Sequence, residues 1–303
     1  VAADPRPAHL TSGLLLAAAG SIAFSGKAII VKLAYRHGVD AVTLIMYRML
    51  FALPLFLAMA WWATHRARTP VAPLTRRDLL GILGLGVSGY YLASFLDFWG
   101  LQYISASLER LILYLNPTLV LVLGWVLYGR RITGRQAGAM ALSYAGVLLV
   151  FGHEVRFDGW GTALGALLVF GSAVSYAIYL VYSGEMVKRL GALRLVGWAT
   201  SVACLLCLLQ FVLLRPWSAA VVAPEVVWLS VLNAVACTAA PVVMVMMAIE
   251  RIGSGLAAQT GMVGPLSTIF MGVWILGEPF NAWVLAGTAL VLAGVLWVSR
   301  QRA

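Results

Sequence analysis

Residues 104–149, ISASLERLILYLNPTLVLVLGWVLYGRRITGRQAGAMALSYAGVLL, lie without a gap over residues 252–297, IGSGLAAQTGMVGPLSTIFMGVWILGEPFNAWVLAGTALVLAGVLW, at a constant offset of 148. Identities fall at Ile104/Ile252, Leu108/Leu256, Pro117/Pro265, Gly124/Gly272, Gly129/Gly277, Ala141/Ala289 and Leu142/Leu290, and along Ala145-Gly146-Val147-Leu148/Ala293-Gly294-Val295-Leu296. Apolar composition alone makes Leu and Ala coincidences common. It does not bring helix-interior prolines and their downstream glycines into register, so the pattern reads as an internal duplication.

The 303 residues are 62% hydrophobic and 11% charged, with a mean hydropathy of +0.93. A soluble domain carries roughly 25% charged residues, so this chain cannot coat a water-facing surface. Ten apolar spans are expected near 12–34, 41–62, 78–101, 104–128, 134–152, 160–186, 192–214, 225–249, 253–277 and 281–299. The fold class is therefore an all-α polytopic membrane protein, with ten transmembrane helices arranged as two five-helix repeats. The repeats are 1–152 and 153–303, meeting near Gly152–Gly159. A net charge of +10 suggests nucleic acid in a soluble protein, but here the basic residues sit in short loops between spans. The first span is followed by nine more and has no small-residue cleavage site, so it reads as retained. Cys204, Cys207 and Cys237 all fall inside spans and read as helix-packing residues, without a disulfide framework.

Loop charge sets the orientation. With the N-terminus in the cytoplasm, the inner segments hold Arg6, Arg66, Arg68, Arg76, Arg77, Arg130, Arg131, Arg135, Lys188, Arg189, Arg194, Arg251, Arg300 and Arg302; the outer ones hold Arg36, Arg156 and Arg215. Both termini are thus expected inside, at a bacterial cytoplasmic (inner) membrane. Five spans per half is odd, so the second copy must enter upside down. The loops agree: Gly129-Arg130-Arg131 ends span 4 inside, whereas its counterpart Gly277-Glu278-Pro279 ends span 9 outside without arginine. Inverted repeats are typical of secondary transporters, with the site near the midplane between them.

Three sets of residues are candidates for that site. Pro117 and Pro265 each remove an N–H and free a carbonyl one turn earlier, on Leu113 and Gly261. Asn116, Gln259 and Thr260 supply polar groups there, so paired kinked helices lining a pathway are one reading and simple packing the other. Lys27, Arg48, Asp97, Glu109 and Arg110 are charges inside first-half spans. Each such group costs about 2.5–3.5 kcal/mol at the centre of a helix on insertion scales. They share one depth, and mutual pairing leaves one net positive charge. That charge could hold a substrate carboxylate, and Asp97, Glu109 and Arg110 could form an outer gate; snorkelling and structural ion pairs are the alternative. Tyr114, Tyr176 and Tyr179 are mid-span aromatics suited to stacking on a substrate or to packing. The histidines lie outside the spans or at their ends, and HExxH, G-x-S-x-G and P-loop motifs are absent. No enzyme, cofactor or metal site is expected.

The five-plus-five pattern, Tyr47-Arg48-Met49-Leu50-Phe51 in span 2, Pro117 and Pro265, and Leu276-Gly277-Glu278-Pro279 closing span 9 resemble the EamA family of the drug/metabolite transporter superfamily. Within it the chain is similar to the YddG-type amino-acid exporters. Phe24-Ser25 stands where Trp-Gly is often found, and Arg130 where Glu often closes span 4. The resemblance implies export of small metabolites, amino acids and aromatic ones among them, by alternating access through a central cavity. Multidrug or nucleotide-sugar carriage, and a channel, stay open as alternatives. The implied partners are a small-molecule substrate and the lipid bilayer, not nucleic acid; a monomer would suffice.

Overall fold

A computed structural model describes the backbone of residues 7–65, 73–129, 131–261 and 263–299; the side chains of 7–9, 155–158, 185, 188, 250, 253–256, 258, 259, 298 and 299 lie outside that description. The described residues are helical and contain no strand. In order the helices are α1 (Pro7–Tyr35), α2 (Ala41–His65), α3 (Arg76–Leu85), α4 (Ala93–Gly100), α5 (Ala106–Leu113), α6 (Asn116–Tyr128), α7 (Gly134–Asp158), α8 (Trp160–Leu190), α9 (Ala192–Leu214), α10 (Pro224–Ala234), α11 (Ala240–Thr260), α12 (Val263–Met271) and α13 (Ala282–Ser299). Wider π-helical turns join α3 to α4 (Gly86–Leu92) and α10 to α11 (Val235–Ala239), and a third, Gly272–Leu276, follows α12. Eight stretches among the described residues are long and apolar enough to cross a membrane, and Val263–Leu276 and Ala282–Trp297 are shorter apolar helices. Large apolar side chains such as Leu80, Trp160, Leu213, Trp228 and Trp274 face outward, while Ser25, Lys27, Thr43, Arg48, Thr118 and Thr268 are buried. That inside-out distribution suits a lipid solvent, in which buried polar groups pair with each other.

Helices related by the 148-residue offset come together. α7 packs on α13 and α2 on α9, each against its own counterpart; α1 packs on α11 and α4 on α8. The contacts repeat in detail: a Cβ at Gly146 would stand 2.6 Å from the Gly287 carbonyl oxygen, and one at Gly294, its counterpart, 2.6 Å from that of Ala139. Two of the π-helical turns, at Gly86–Leu92 and Val235–Ala239, fall at equivalent places. α1 ends where Tyr35 donates to the Phe98 carbonyl (2.6 Å), and α8, its counterpart, begins at that same end, with Gly165 against Gly100. Because small residues let the α7 and α13 backbones touch, Gly146→Ala is expected to push them apart. The expected loss is about 1–3 kcal/mol of stability, read as a lower denaturation midpoint of purified protein.

α11 is not straight. Pro241 lies beside Gly20, Ile252 beside Gly13, and Ser21 donates to the Gly261 carbonyl at 2.6 Å. Twenty residues of straight helix would separate Pro241 and Gly261 by about 30 Å, yet both sit at one level of α1. The chain therefore doubles back after Ile252, where spans 8 and 9 are expected to part. Span 4 is also interrupted, between α5 and α6 at Tyr114–Leu115. The breaks precede Pro117 and Pro265 by two to four residues, because a proline ring clashes with the carbonyl one turn back and the helix stops there.

One end of the bundle is closed by polar caps. Asp40 starts α2, accepting from Val42 N (2.9 Å), Thr43 N (3.2 Å), Thr43 Oγ1 (2.6 Å) and Arg215 Nε (3.1 Å). Ser105 caps α5 through Leu108 N (3.0 Å) and donates to Glu154 Oε1 at 2.5 Å. Glu278 reaches over from the other half: its Oε1 accepts from Ala106 N (2.6 Å), and its Oε2 from Ser107 N (3.3 Å) and Ser107 Oγ (2.7 Å). Arg36 Nη2 donates to the Leu276 carbonyl at 2.8 Å. For Asp40, burial alone would raise the carboxyl pKa, but the Thr43 hydroxyl and N–H, Arg215 and the Val42 N–H outweigh it and hold the pKa below its usual value. A depressed folded-state pKa gives stability that is present above the unfolded value, about 3.9, and is lost as pH falls through the folded value. Asp40→Ala is expected to cost about 1 kcal/mol at neutral pH. The difference from the unmodified protein should vanish on acidification, as followed by thermal unfolding across pH.

Candidate functional site

The five intramembrane charges gather into one buried layer. Lys27, Arg48, Asp97, Glu109 and Arg110 are each at most 6% exposed, a degree of burial that makes each depend on polar or ring partners from the protein. Lys27 Nζ from α1 lies 2.5 Å from Asp97 Oδ2 on α4 and 3.2 Å from Glu109 Oε1 on α5. The second contact is an ion pair set off the angle of a hydrogen bond, and Asp97 Oδ1 and both Glu109 oxygens have no hydrogen-bond donor. Arg48 is held by neutral groups: its Nε donates to Thr238 Oγ1 (3.2 Å), its Nη1 reaches Ser94 Oγ at 3.5 Å, and the guanidinium lies 5.1 Å from the Phe98 ring centre. Arg110 donates from Nε to Thr268 Oγ1 (2.9 Å) and lies over Phe24 at 5.4 Å, leaving Nη2 without a partner.

A cavity of ≈ 320 Å³ runs inward from this layer. Lys27, Arg48, Asp97 and Arg110 line its charged end; Phe24, Tyr90, Tyr114, Asn116 and Tyr176 line its body. Both equivalent π-helical turns contribute, Gly89 and Tyr90 from one and Thr238 from the other. A π turn widens the helix by one residue and redirects side chains, and such turns cluster at functional sites. Glu109 is wholly buried and does not line the cavity, but it contacts Lys27, which does.

The kinks meet at the same place. The Leu113 carbonyl accepts from Asn116 Nδ2 at 2.7 Å, and the Gly261 carbonyl accepts from Tyr114 Oη (3.0 Å) as well as Ser21 Oγ. Both freed carbonyls are those expected from the prolines, but Ser21 and Tyr114 serve Gly261. The side chain of Gln259 lies outside the described residues. So do Arg6, Arg66, Arg68, Arg130, Arg156, Lys188, Arg300 and Arg302 of the loop-charge argument. Asn116 Oδ1 is buried without a donor. Tyr179 does not line the cavity; it stacks on Tyr176 (ring centres 5.5 Å apart) and meets the Tyr90 hydroxyl at 3.4 Å, fixing both rings from behind. Sequence reasoning passed over Ser21, Ser25, Ser94, Thr238 and Thr268, the small hydroxyls that hold the arginines and open carbonyls. Their signal was present, as isolated Ser and Thr in spans that also carry charge or proline.

The profile of the EamA-like transporter family matches residues 11–152 and 163–300, and the chain belongs to that family. It is 30% identical over 281 residues to the Bacillus subtilis (strain 168) protein described as uncharacterized transporter YcbK, covering 88% of this chain and 86% of that one. It is 25% identical over 230 residues to the S-adenosylmethionine/S-adenosylhomocysteine transporter of Chlamydia trachomatis serovar L2, covering 73% and 70%. A solved crystal structure superposes with a TM-score of 0.64 at 17% identity, covering 96% of this chain and 99% of that one, a likeness of fold alone. The chain is an integral membrane protein of a transporter family.

Proposed function

We propose that this protein is a secondary, ATP-independent transporter that exports small metabolites, most specifically amino acids including aromatic ones. In this reading residues 1–152 and 153–303 are inverted repeats that rock about the cavity in the cytoplasmic membrane, with both termini inside and no catalysis. The packing of helices on their own counterparts, and the opposite directions of α1 and α8, support the inversion. The observation that carries the substrate class is the charged end of the cavity, where Arg48 has no carboxylate among its bonded neighbours. A bidentate guanidinium fits a carboxylate, Asp97 Oδ1 and Asn116 Oδ1 are acceptors for an ammonium, and Tyr90, Tyr114 and Tyr176 offer ring faces to a side chain. Amino acids present that combination.

S-adenosylmethionine and S-adenosylhomocysteine carry the same carboxylate and ammonium, and the chlamydial relatives' name makes them the second reading. Counterflow in proteoliposomes separates the two: labelled phenylalanine is followed against unlabelled amino acids or S-adenosylhomocysteine inside. Saturable, trans-stimulated phenylalanine entry supports the amino-acid reading. Stimulation by S-adenosylhomocysteine alone moves the cargo to the nucleoside. Linear, unsaturable flux rejects a carrier.

A further inference from the structure

We infer that Asp97 and Glu109 share one proton, and that this proton is the ion exchanged for substrate; the exchange rests on the amino-acid reading above, the shared proton does not. The Glu109 carboxyl, wholly buried, shares Lys27 Nζ with that of Asp97, at 3.2 Å and 2.5 Å. Asp97 Oδ1 and both Glu109 oxygens have no donor from the protein. Two buried carboxylates gathered on one ammonium resist both being ionised, and one proton between them supplies the missing donor. Lys27 contacts both groups but is a single cation, so it neutralises one carboxylate and leaves the other.

Among the described residues the ion pairs of Asp97 and Glu109 are with Lys27. From α1 the pair is faced by Lys27 and by Tyr35, whose hydroxyl is committed to the Phe98 carbonyl. From α2 comes Arg48, bound to Thr238 and Ser94, and from α5 Arg110, bound to Thr268 and turned over Phe24. Glu154 of α7 is bound to Ser105, while α8 and α12 bring the Ser172 hydroxyl, donating to Ala93, and Thr268. The arginines act on the pair through space without hydrogen-bonding it.

Asp97 lines the cavity, whereas Glu109 does not. A substrate ammonium arriving at Asp97 Oδ1 therefore occupies the place of the shared proton. The proton leaves to water, both carboxylates become anionic, and Lys27 and the ammonium balance them one to one. Releasing the substrate on the far side lets a proton return. Each cycle exchanges one proton for one zwitterion, so one net charge crosses the membrane.

The test begins with the protein alone. Infrared spectra of purified protein at neutral pH are expected to show the carbonyl stretch of one protonated carboxyl. That band should be absent from both Asp97→Asn and Glu109→Gln, because either change leaves a single carboxylate paired with Lys27. Absence of the band in the unmodified protein, or its persistence in both variants, overturns the shared proton. Phenylalanine is then added. Loss of the band, with release of about one proton per molecule bound and an apparent affinity falling up to tenfold per pH unit on acidification, is the expected result. Phenylalanine binding with the band unchanged overturns the exchange. If phenylalanine shows no counterflow at all, the amino-acid reading fails, and the infrared band still decides the proton site.

Discussion

Replacing Lys27 by methionine is expected to destabilise the purified protein by about 3–5 kcal/mol, the cost of leaving a buried charge without its partner. Methionine keeps the length of the lysine stem, so packing beside Phe24 changes little. What changes is electrostatic: the cation that contacts both Asp97 and Glu109 is gone. The same physics predicts a rescue. Asp97→Asn and Glu109→Gln introduced together into Lys27→Met remove the unpaired charge, and a neutral cluster of similar volume is often as stable as the ion pair it replaces. Denaturant unfolding in detergent should therefore show a large fall for the single variant and recovery of most of it in the triple one. A single variant as stable as the unmodified protein would mean that the layer is wet and its charges are screened.

Arg48→Ala is expected to weaken amino-acid binding about 10- to 150-fold, from the roughly 1.5–3 kcal/mol carried by hydrogen bonds to a charged group. Folding should survive, because Arg48 is held by hydroxyls and a ring face, and its loss strands no carboxylate in direct contact. Arg48→Lys is the sharper variant. It keeps the charge but loses the planar fork, so a bidentate carboxylate site should recover only in part. Phenylalanine counterflow at graded concentrations reads the effect as a raised half-saturation. If Arg48→Lys and Arg48→Ala both transport like the unmodified protein, the carboxylate sits elsewhere, and Arg110 Nη2 is the next donor to remove.

Much of this was legible in the chain itself. The 148-residue offset pairs α7 with α13 and α2 with α9, which pack on one another, and the charges in otherwise apolar spans fall in one buried layer. Pro117 and Pro265 named the carbonyls that would open, Leu113 and Gly261. Local rules failed where partners come from distant sequence. The donor to Gly261 comes from Ser21, 240 residues away, and Thr238 finds Arg48 across 190. The π-helical turns left no periodic signature, because a single inserted residue shifts the helical register without changing composition. Tyr114 and Tyr179 looked alike in the sequence, but one lines the cavity and the other braces Tyr176 from outside it; rotation about a helix axis depends on tertiary packing.

A machine made from two copies of one part would, if the copies were identical, rest equally in either of its two poses. In the proposed rocking of the two halves, Glu278 would break that tie. It crosses from one half to cap α5 of the other, through Ala106 N and the Ser107 N–H and hydroxyl, and its repeat-equivalent in the chain is Arg130. A carboxylate is favoured at a helix N-terminus and a guanidinium is disfavoured there, so this fastening has no equivalent in the sequence at the opposite pole. In that reading a capping interaction of about 1–2 kcal/mol would translate into a roughly 5- to 30-fold excess of molecules resting with this end shut. In the alternating-access reading proposed here, the duplicated scaffold supplies two poses, and one acidic residue biases which of them the empty carrier occupies.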